Sequence, residues 1–188
     1  ELEQALQNAD PGQEKTLARL LEEVQRLKSI VQKLLLLATA DAGRITLHRA
    51  PVDLSAMLCE TVEDISILAP ALDIQSRIQE GVVLPADGDL LRQAVQNIAL
   101  NAVKHTPDGG KILVLLRRDG AGVRCTVQNS GDIPPGDRLR VFERFYRIDA
   151  SRTRAGGAAG NGEGTGLGLS LAREIARAHG GDVTLDAT

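Results

Sequence analysis

Aromatic side chains are nearly absent from this sequence of 188 residues, which has no tryptophan, one tyrosine and two phenylalanines. All three lie within five residues of one another, as Phe142, Phe145 and Tyr146. The core must therefore be built from Leu, Ile, Val and Ala, and the aromatic cluster indicates a local purpose of its own.

Cysteine is also scarce, because the sequence holds only Cys59 and Cys125, which lie far apart without any metal-type or CxxC spacing. We expect buried free thiols in a reducing compartment. A signal peptide is missing too, and the longest apolar run, residues 34–38, is far too short to cross a bilayer. We therefore expect this polypeptide to be soluble and cytoplasmic.

Neither sign of charge is in large excess, since the formal net charge is −3 with 25% charged residues. This balance argues against a nucleic-acid surface and against an acidic tail. Arginines do gather in residues 138–154, but acidic residues interrupt them, so we expect no nucleic-acid partner. With 43% hydrophobic residues, the chain has the composition of a globular domain plus a smaller element.

A long amphipathic helix is predicted for residues 13 to about 41. Its apolar residues recur in steps of three and four, as in a coiled-coil seam, at positions 17, 20, 24, 27, 31, 34 and 38. Residues 1–7 are typical of the end of another helix, and Asp10-Pro11-Gly12 predicts a turn between the two. Seven residues cover only part of the seam, so we expect a second copy of the chain to bury the rest; the alternative is packing against the chain's own globular domain.

The rest of the chain alternates predicted helices and strands, which is typical of an α/β domain. A strand or linker is predicted at residues 44–54, helices at 52–68 and from about 88 to 105, and strands within 72–84, at 111–118 and at 122–129. Asp87 or Asp89 would cap the second helix. The final helix, after the last glycine run, would pack through Leu169, Ala172, Ile175 and Ala176.

Polar side chains line one edge of the helix that ends near residue 105. At about 100° per residue they fall in a sector next to the apolar face, and they are Asn97, Asn101, Lys104 and His105. Asparagine disfavours helix interiors, so two of them four residues apart need a reason. Amide oxygens with a nearby lysine suit a magnesium ion and the phosphates that it neutralises. The alternative is a solvated face with incidental polar residues.

Glycines occupy every second position from 160 to 168, directly before the final predicted helix. Ordering glycine has a high entropy cost, so such a run marks a mobile loop, a close backbone approach to a ligand, or both. We expect a lid over about residues 152–163. We also expect a phosphate-facing turn at residues 164–168, where the next helix would present its N-terminal amides.

Three quoted segments carry a family resemblance: LLRQAVQNIALNAVKHTPDGG, VQNSGDIPPGDRLRVFERFYR and GTGLGLSLAREIARAHGG. They resemble, in order, the N box, the first glycine box with the F box, and the second glycine box of sensor histidine kinases, in the superfamily of DNA gyrase, Hsp90 and MutL. Residues 13–44 are similar to the second helix of the dimerisation hairpin. The resemblance implies a two-layer α/β sandwich of the Bergerat type over residues 46–188. Residues 1–45 would be part of a helical hairpin that forms a dimeric bundle.

The same resemblance implies a role for each candidate residue. Asn101 would ligate Mg2+ and, with Lys104, would be catalytic. Asn97, Lys104 and His105 would contact ATP. The remaining nucleotide contacts would be Asn129 and Gly131 at the adenine end, Ile133, Phe145 at the root of the lid beside Phe142, Arg147 toward the phosphates, and Gly164, Thr165, Gly166, Leu167 and Gly168 around them.

The implied activity is transfer of the ATP γ-phosphoryl group to a histidine, and then to the receiver domain of a response regulator. None of His48, His105 and His179 lies in the SHELRTPL-like context of a phosphoacceptor, so we expect the acceptor upstream and no autophosphorylation by this chain alone. We expect the parent protein in the bacterial inner membrane.

The alternative is a degenerate ATP-binding module that dimerises and signals without useful kinase activity. It is favoured by Asn129, where the family has Asp, and by Asp132, where it has glycine. The NSGDIP form of this box, with FERFYRIDASR after it, resembles kinases of the heavy-metal-response type.

Overall fold

The structure is a computed structural model that describes residues 11–148 and 164–186. The chain divides into two compact units, Glu1–Arg44 and Ile45–Thr188. This boundary lies one residue from the predicted division, while the assignment of the first unit to a dimerisation hairpin stays a prediction.

In its described part, the first unit consists of helix α1, Pro11–Asp41. The prediction of a turn at Pro11 and Gly12 was wrong, because both residues belong to the first turn of the helix, where the missing N–H of proline costs no hydrogen bond. Gly43, with a φ of 63°, ends the helix. The predicted helix at residues 1–7 lies outside the described residues.

The predicted seam of α1, together with Leu35 beside it, carries six large apolar side chains that are 38 to 65% exposed: Leu20, Val24, Leu27, Val31, Leu34 and Leu35. An apolar stripe of this length is far more than the scattered exposed leucines of ordinary surfaces. It therefore supports the expectation of a further partner for this helix.

The second unit contains the predicted helices and strands, with ends shifted by a few residues. Its helices are α2 (Leu54–Leu68), α3 (Gly88–His105) and α4 (Gly168–Ala178), and a 3₁₀ turn spans Arg140–Phe142. Its strands are β1 (Ala50–Asp53), β2 (Asp73–Ile78), β3 (Val83–Ala86), β4 (Lys111–Asp119) and β5 (Gly122–Asn129).

These strands form two small sheets. Strand β1 pairs antiparallel with β3, and a second sheet has the order β2-β4-β5, with β2 parallel and β5 antiparallel to β4. Gly120, at a φ of 59°, permits the tight turn between β4 and β5, as the Asp-Gly pair predicts.

The core lies between one face of the three-stranded sheet and the helices. Alternate residues of β4 are buried there, because successive side chains of a strand point to opposite faces. The buried core residues are Leu54, Met57, Leu58, Val82, Ala102, Ile112, Val114 and Leu116. The predicted two-layer α/β sandwich is confirmed, while the dimeric bundle of the first unit stays a prediction.

The packing face of α4 differs from the predicted one. Leu171, Ala172 and Ile175 are fully buried, whereas Leu169 and Ala176 are only partly so. The buried face is thus rotated by roughly 60° from the prediction, at about 100° per residue. Ala172 and Ile175 are thus buried as predicted, and Leu171 takes the place of Leu169 and Ala176 in the buried face.

Both cysteines are free, as predicted, but Cys59 is exposed, so the prediction of a buried thiol was wrong there. Cys125 also has exposed surface, yet its surroundings desolvate the thiol enough to raise its pKa to about 11. Cys59 lies on the outer side of α2. Cys125 lies on β5, which has a neighbouring strand on one side only among the described residues. Apolar sequence surroundings predicted burial, but a strand at the sheet edge has less cover than a central one.

Candidate nucleotide-binding site

The polar edge of α3 is the frame of the candidate site. Asp87 caps the start of this helix by accepting a hydrogen bond from the Leu90 amide. At the other end, the Thr106 hydroxyl donates to the Ala102 carbonyl at 2.6 Å. Between them the predicted edge forms: Asn97 and Asn101 are half-buried, and Lys104 and His105 keep exposed surface although neighbouring atoms desolvate both side chains in part.

The glycine turn at residues 164–168 lies directly over this edge. A Cβ atom added to Gly168 would be 3.5 Å from the Asn97 Oδ1 atom. A Cβ atom on Gly164 would collide with the Lys104 ammonium group. The structure therefore brings together the two ends of the glycine turn and two of the predicted nucleotide contacts.

The aromatic cluster meets the glycine turn through the backbone. The Phe145 amide donates to the Gly166 carbonyl at 3.0 Å. Gly166 has a φ of 68°, and a Cβ atom there would be 2.6 Å from the Phe145 carbonyl carbon, so both space and backbone angle require glycine. Phe145 itself has a φ of 62°, which is rare for an aromatic residue.

Two further contacts hold the aromatic cluster in place, and neither was predicted from the sequence. The Arg173 guanidinium lies 4.8 Å from the centre of the Phe142 ring and is bound by the Asp182 carboxylate at 2.8 and 3.0 Å. The Tyr146 hydroxyl donates to Asp137 at 2.6 Å. No sequence signal could have found the first contact, because it joins residues from three separate segments.

The loop after β5 passes against the C-terminal end of α3. A Cβ atom on Gly131 would overlap the His105 carbonyl oxygen and would be 2.7 Å from the Asn129 amide nitrogen. Gly131 has no positive φ, so space alone requires glycine here. Asn129, Gly131 and His105, which the sequence assigns to the nucleotide, are therefore neighbours.

Basic groups crowd together where the glycine turn meets α3. Burial and then the charge of Arg147 lower the pKa of Lys104 below its usual 10.5. Burial and then the charge of Lys104 lower the pKa of His105 below its usual 6.5. Like charges at such short range disfavour one another, so this corner of the molecule favours an anion.

One buried polar atom lacks a partner in the described part of the chain, the Asn97 Nδ2 amide. Buried amide groups in native proteins nearly always have a hydrogen-bond partner. Its position beside Gly168, on the edge that also carries Lys104, fits a ligand with acceptor oxygens. The residues present therefore suit a phosphate-bearing nucleotide.

The same residues also fit a magnesium ion that comes with the nucleotide. Within the described ranges, no group of three or more His, Cys, Asp or Glu side chains could hold a metal ion. Mg2+ typically binds through one or two protein oxygens plus substrate phosphates. The half-buried Asn101 is a suitable oxygen donor, one helical turn from both Asn97 and Lys104.

For the remaining predicted site residues, fewer contacts link them to the rest of the candidate site. Thr165 is half-buried within the glycine turn, and Leu167 is fully buried, as an anchor for the start of α4. Ile133 is half-buried, and its carbonyl accepts from Arg138 at 3.3 Å. The predicted lid at residues 152–163 lies outside the described residues.

The family model described as "Histidine kinase-, DNA gyrase B-, and HSP90-like ATPase" matches residues 86–188, which contain every element of this site. The chain belongs to this family. Two relatives in the family are the probable sensor histidine kinase TcrY of Mycobacterium tuberculosis and the probable sensor protein PcoS of Escherichia coli. TcrY is 35% identical over 92% of this chain and 35% of its own length, and PcoS is 37% identical over 88% and 34%.

A solved structure of the family shares the fold. It is the crystal structure of full-length ShkA in complex with AMPPNP, with a TM-score of 0.76 and 30% identity over 93% of this chain and 36% of that one. The chain spans about a third of the length of these relatives. The predicted identity, an ATP-binding catalytic domain of the sensor histidine kinase type, is confirmed.

Proposed function

We propose that the second unit binds ATP with Mg2+ and presents the γ-phosphoryl group to a histidine, from which the receiver domain of a response regulator takes it. The main support is Lys104, whose ammonium group lies beside Gly164 and whose pKa is lowered in part by the charge of Arg147. Two cations next to a glycine turn that opens a helix suit a chain of phosphates.

The phosphates would lie between α3 and the start of α4. Backbone amides at the N-terminus of α4 donate hydrogen bonds and carry a partial positive charge. Gly164, Thr165, Gly166, Leu167 and Gly168 would let the backbone approach, and Lys104 and Arg147 would neutralise charge. The unpaired Asn97 amide would donate to a ligand oxygen.

The adenine end would lie near the end of β5. The Asn129 amide oxygen can accept a hydrogen bond from the adenine amino group, although the family has a carboxylate there. Because Gly131 has no side chain, the loop can lie against His105, which would leave space for the adenine ring. Ile133 and Phe145 would supply apolar contacts.

Asn101 would hold Mg2+, which when bound neutralises phosphate charge and orients the transferred group. In the reaction, a ring nitrogen of the acceptor histidine bonds to the γ-phosphorus. The bond to the bridging oxygen breaks, ADP leaves with the electron pair, and the ring proton passes to solvent. The residues of this chain would contribute by positioning and by charge, with Lys104 and Arg147 neutralising the charge that develops on the phosphate oxygens in the transition state.

The proposal includes a homodimer through the first unit, because the exposed stripe of α1 needs an apolar partner. Among helices in the described ranges, none combines the length and apolar character that crossing a bilayer requires. Any membrane attachment would come from other parts of the parent protein, with this chain in the cytoplasm. The NSGDIP box with FERFYRIDASR after it supports the heavy-metal-response type.

Calorimetric titration of the chain with ATP and Mg2+ tests nucleotide binding. We expect Asn101→Ala to weaken binding about tenfold in the presence of Mg2+ and much less with EDTA. Gln96→Ala is the matched control, since Gln96 is an exposed amide on the same helix. Equal affinities of Asn101→Ala and the control would contradict the assigned role of Asn101, and no binding by the unsubstituted chain would overturn the proposal.

Labelling of the parent protein with γ-labelled ATP separates the kinase from the degenerate module. We expect acid-labile label on a histidine, reduced in the Asn101→Ala variant. Binding of ATP without any label would favour the module, whose support is Asn129 in place of the family's Asp.

A further inference from the structure

His179, directly after α4, joins two segments that are far apart in sequence. Its Nε2 atom accepts a hydrogen bond from the Asp87 amide at 3.0 Å. Its Nδ1 atom is 2.8 Å from the Ile175 carbonyl oxygen. The side chain therefore bridges the end of α4 and the cap of α3.

These two contacts determine the state of the ring. A backbone amide can only donate, so Nε2 must be the unprotonated acceptor. A carbonyl oxygen can only accept, so the proton must be on Nδ1. The bridge thus requires the neutral imidazole with its proton on Nδ1, a state that lysine and arginine cannot reproduce.

Asp87 is itself held by several bonds. Its carboxylate accepts from the Leu90 amide at 3.2 Å and from the His48 amide at 3.0 Å, and only 8% of the residue is exposed. His48 belongs to the segment that leads into β1. The backbone that donates to His179 is therefore fixed against both this segment and α3.

Both ends of α4 contact α3, one at the middle of α3 and one at its N-terminal cap. Gly168, at the start of α4, lies beside Asn97 of α3, and His179, just past its end, lies beside Asp87. The spans from Asp87 to Asn97 and from Gly168 to His179 are both about 15 Å, at 1.5 Å per residue. At the Asn97 end the contact is a glycine, which has no side chain to fix it. At the other end of α4, the hydrogen bond from the Asp87 amide to His179 supplies a polar contact between the two helices.

We propose that His179 is a positioning residue of the nucleotide site: by fastening the end of α4 to the cap of α3, it holds the glycine turn over Asn97 and Lys104. This inference rests on the proposed ATP binding. It assigns to His179 no contact with the nucleotide, because the residue lies at the opposite end of α4 from the glycine turn.

Two conservative variants separate this role from general packing. In His179→Gln, the amide oxygen can reach the position of Nε2 and still accept from Asp87. In His179→Asn, the shorter amide can donate only to Ile175. We expect the Gln variant to bind ATP–Mg2+ within about twofold of the unsubstituted chain, and the Asn variant to bind roughly five- to tenfold more weakly, as the loss of one hydrogen bond predicts.

Calorimetry on the full chain, with folding checked by circular dichroism, provides these affinities. Equal affinity of the Asn variant and the unsubstituted chain would overturn the positioning role, and so would equal losses in both variants. Failure of the unsubstituted chain to bind ATP would instead overturn the proposed function.

A spectroscopic measurement needs neither variant nor nucleotide. Nitrogen-15 NMR of the imidazole in the full chain should show a protonated Nδ1 and an unprotonated Nε2, and the Asp87 amide should exchange slowly with solvent. A proton on Nε2 would overturn the bridge, even if the Asn variant does not fold.

Discussion

The N-terminal end and the C-terminal half of α3 both carry polar residues. They differ in whether those residues have hydrogen-bond partners and opposite charges nearby. At the N-terminal end, Asp87 is buried and its carboxylate accepts two backbone hydrogen bonds, which lower its pKa. In the C-terminal half, Asn97 has a buried amide without a partner in the described chain, and the charge of Arg147 acts on Lys104. Buried polar groups that have hydrogen-bond partners stabilise a fold, whereas buried polar groups without partners are candidates for binding a ligand.

The largest expected effect comes from Gly131, where the loop meets the C-terminal end of α3. Gly131→Ala should lower the free energy of unfolding by roughly 2–4 kcal/mol, because the new methyl group overlaps the His105 carbonyl and rigid backbone must move. Urea unfolding measures this. Gly136→Ala is the control, since nothing lies within 4 Å of a Cβ atom there. Equal stability of the two variants would contradict the close approach.

Lys104 tests the claim that the C-terminal end is arranged for a ligand rather than for stability. Lys104→Ala should reduce ATP affinity by about 1.5–3 kcal/mol, the value of a hydrogen bond to a charged group. The free energy of unfolding should not fall, because the variant removes repulsion from Arg147. Calorimetry and urea unfolding of the same samples decide this. Lys111→Ala, which loses only an exposed ion pair with Asp73, should leave ATP affinity unchanged.

Asp87 tests the opposite claim at the N-terminal end. Its pKa in the folded chain lies below 3.8, so its contribution to stability is present above pH 3.8 and is lost as pH falls through the lower folded value. Asp87→Asn should therefore lower the free energy of unfolding by about 1–2 kcal/mol at pH 7, with the gap closing in acid.

Urea titrations across pH measure this gap, with Asp64→Asn, at an exposed position on α2, as the control. A gap that stays constant or widens as pH falls would contradict the assigned cause, because only an ionised carboxylate gains from the two amide bonds.

The smallest effect is expected at the exposed ion pair of Arg92 and Glu60, 2.7 Å apart, which lies near the N-terminal end of α3 but outside its buried network. Glu60→Ala should change the free energy of unfolding by less than about 1 kcal/mol, and salt should erase even that difference. If Glu60→Ala lowered the free energy of unfolding as much as Asp87→Asn, then closeness of the charged groups, and not burial of the carboxylate, would explain the stability of this end.

Local periodicity was enough to predict the polar edge of α3, because residues three and four apart share one helical face whatever surrounds them. The caps and the β4–β5 turn were predictable for the same reason. The degree to which Cys125 is exposed was not predictable, since its sheet neighbours depend on the whole topology. The bond between His179 and Asp87 was out of reach, because it joins residues 92 positions apart.

The similar spans from Asp87 to Asn97 in α3 and from Gly168 to His179 in α4 limit how this sequence can change. Removing one residue between Gly168 and His179 would turn one end of α4 by about 100° relative to the other and separate either the glycine turn or the imidazole from its partner. Exposed side chains along α4 are free of this constraint. Family members should therefore tolerate varied composition in this helix while rejecting insertions and deletions within it.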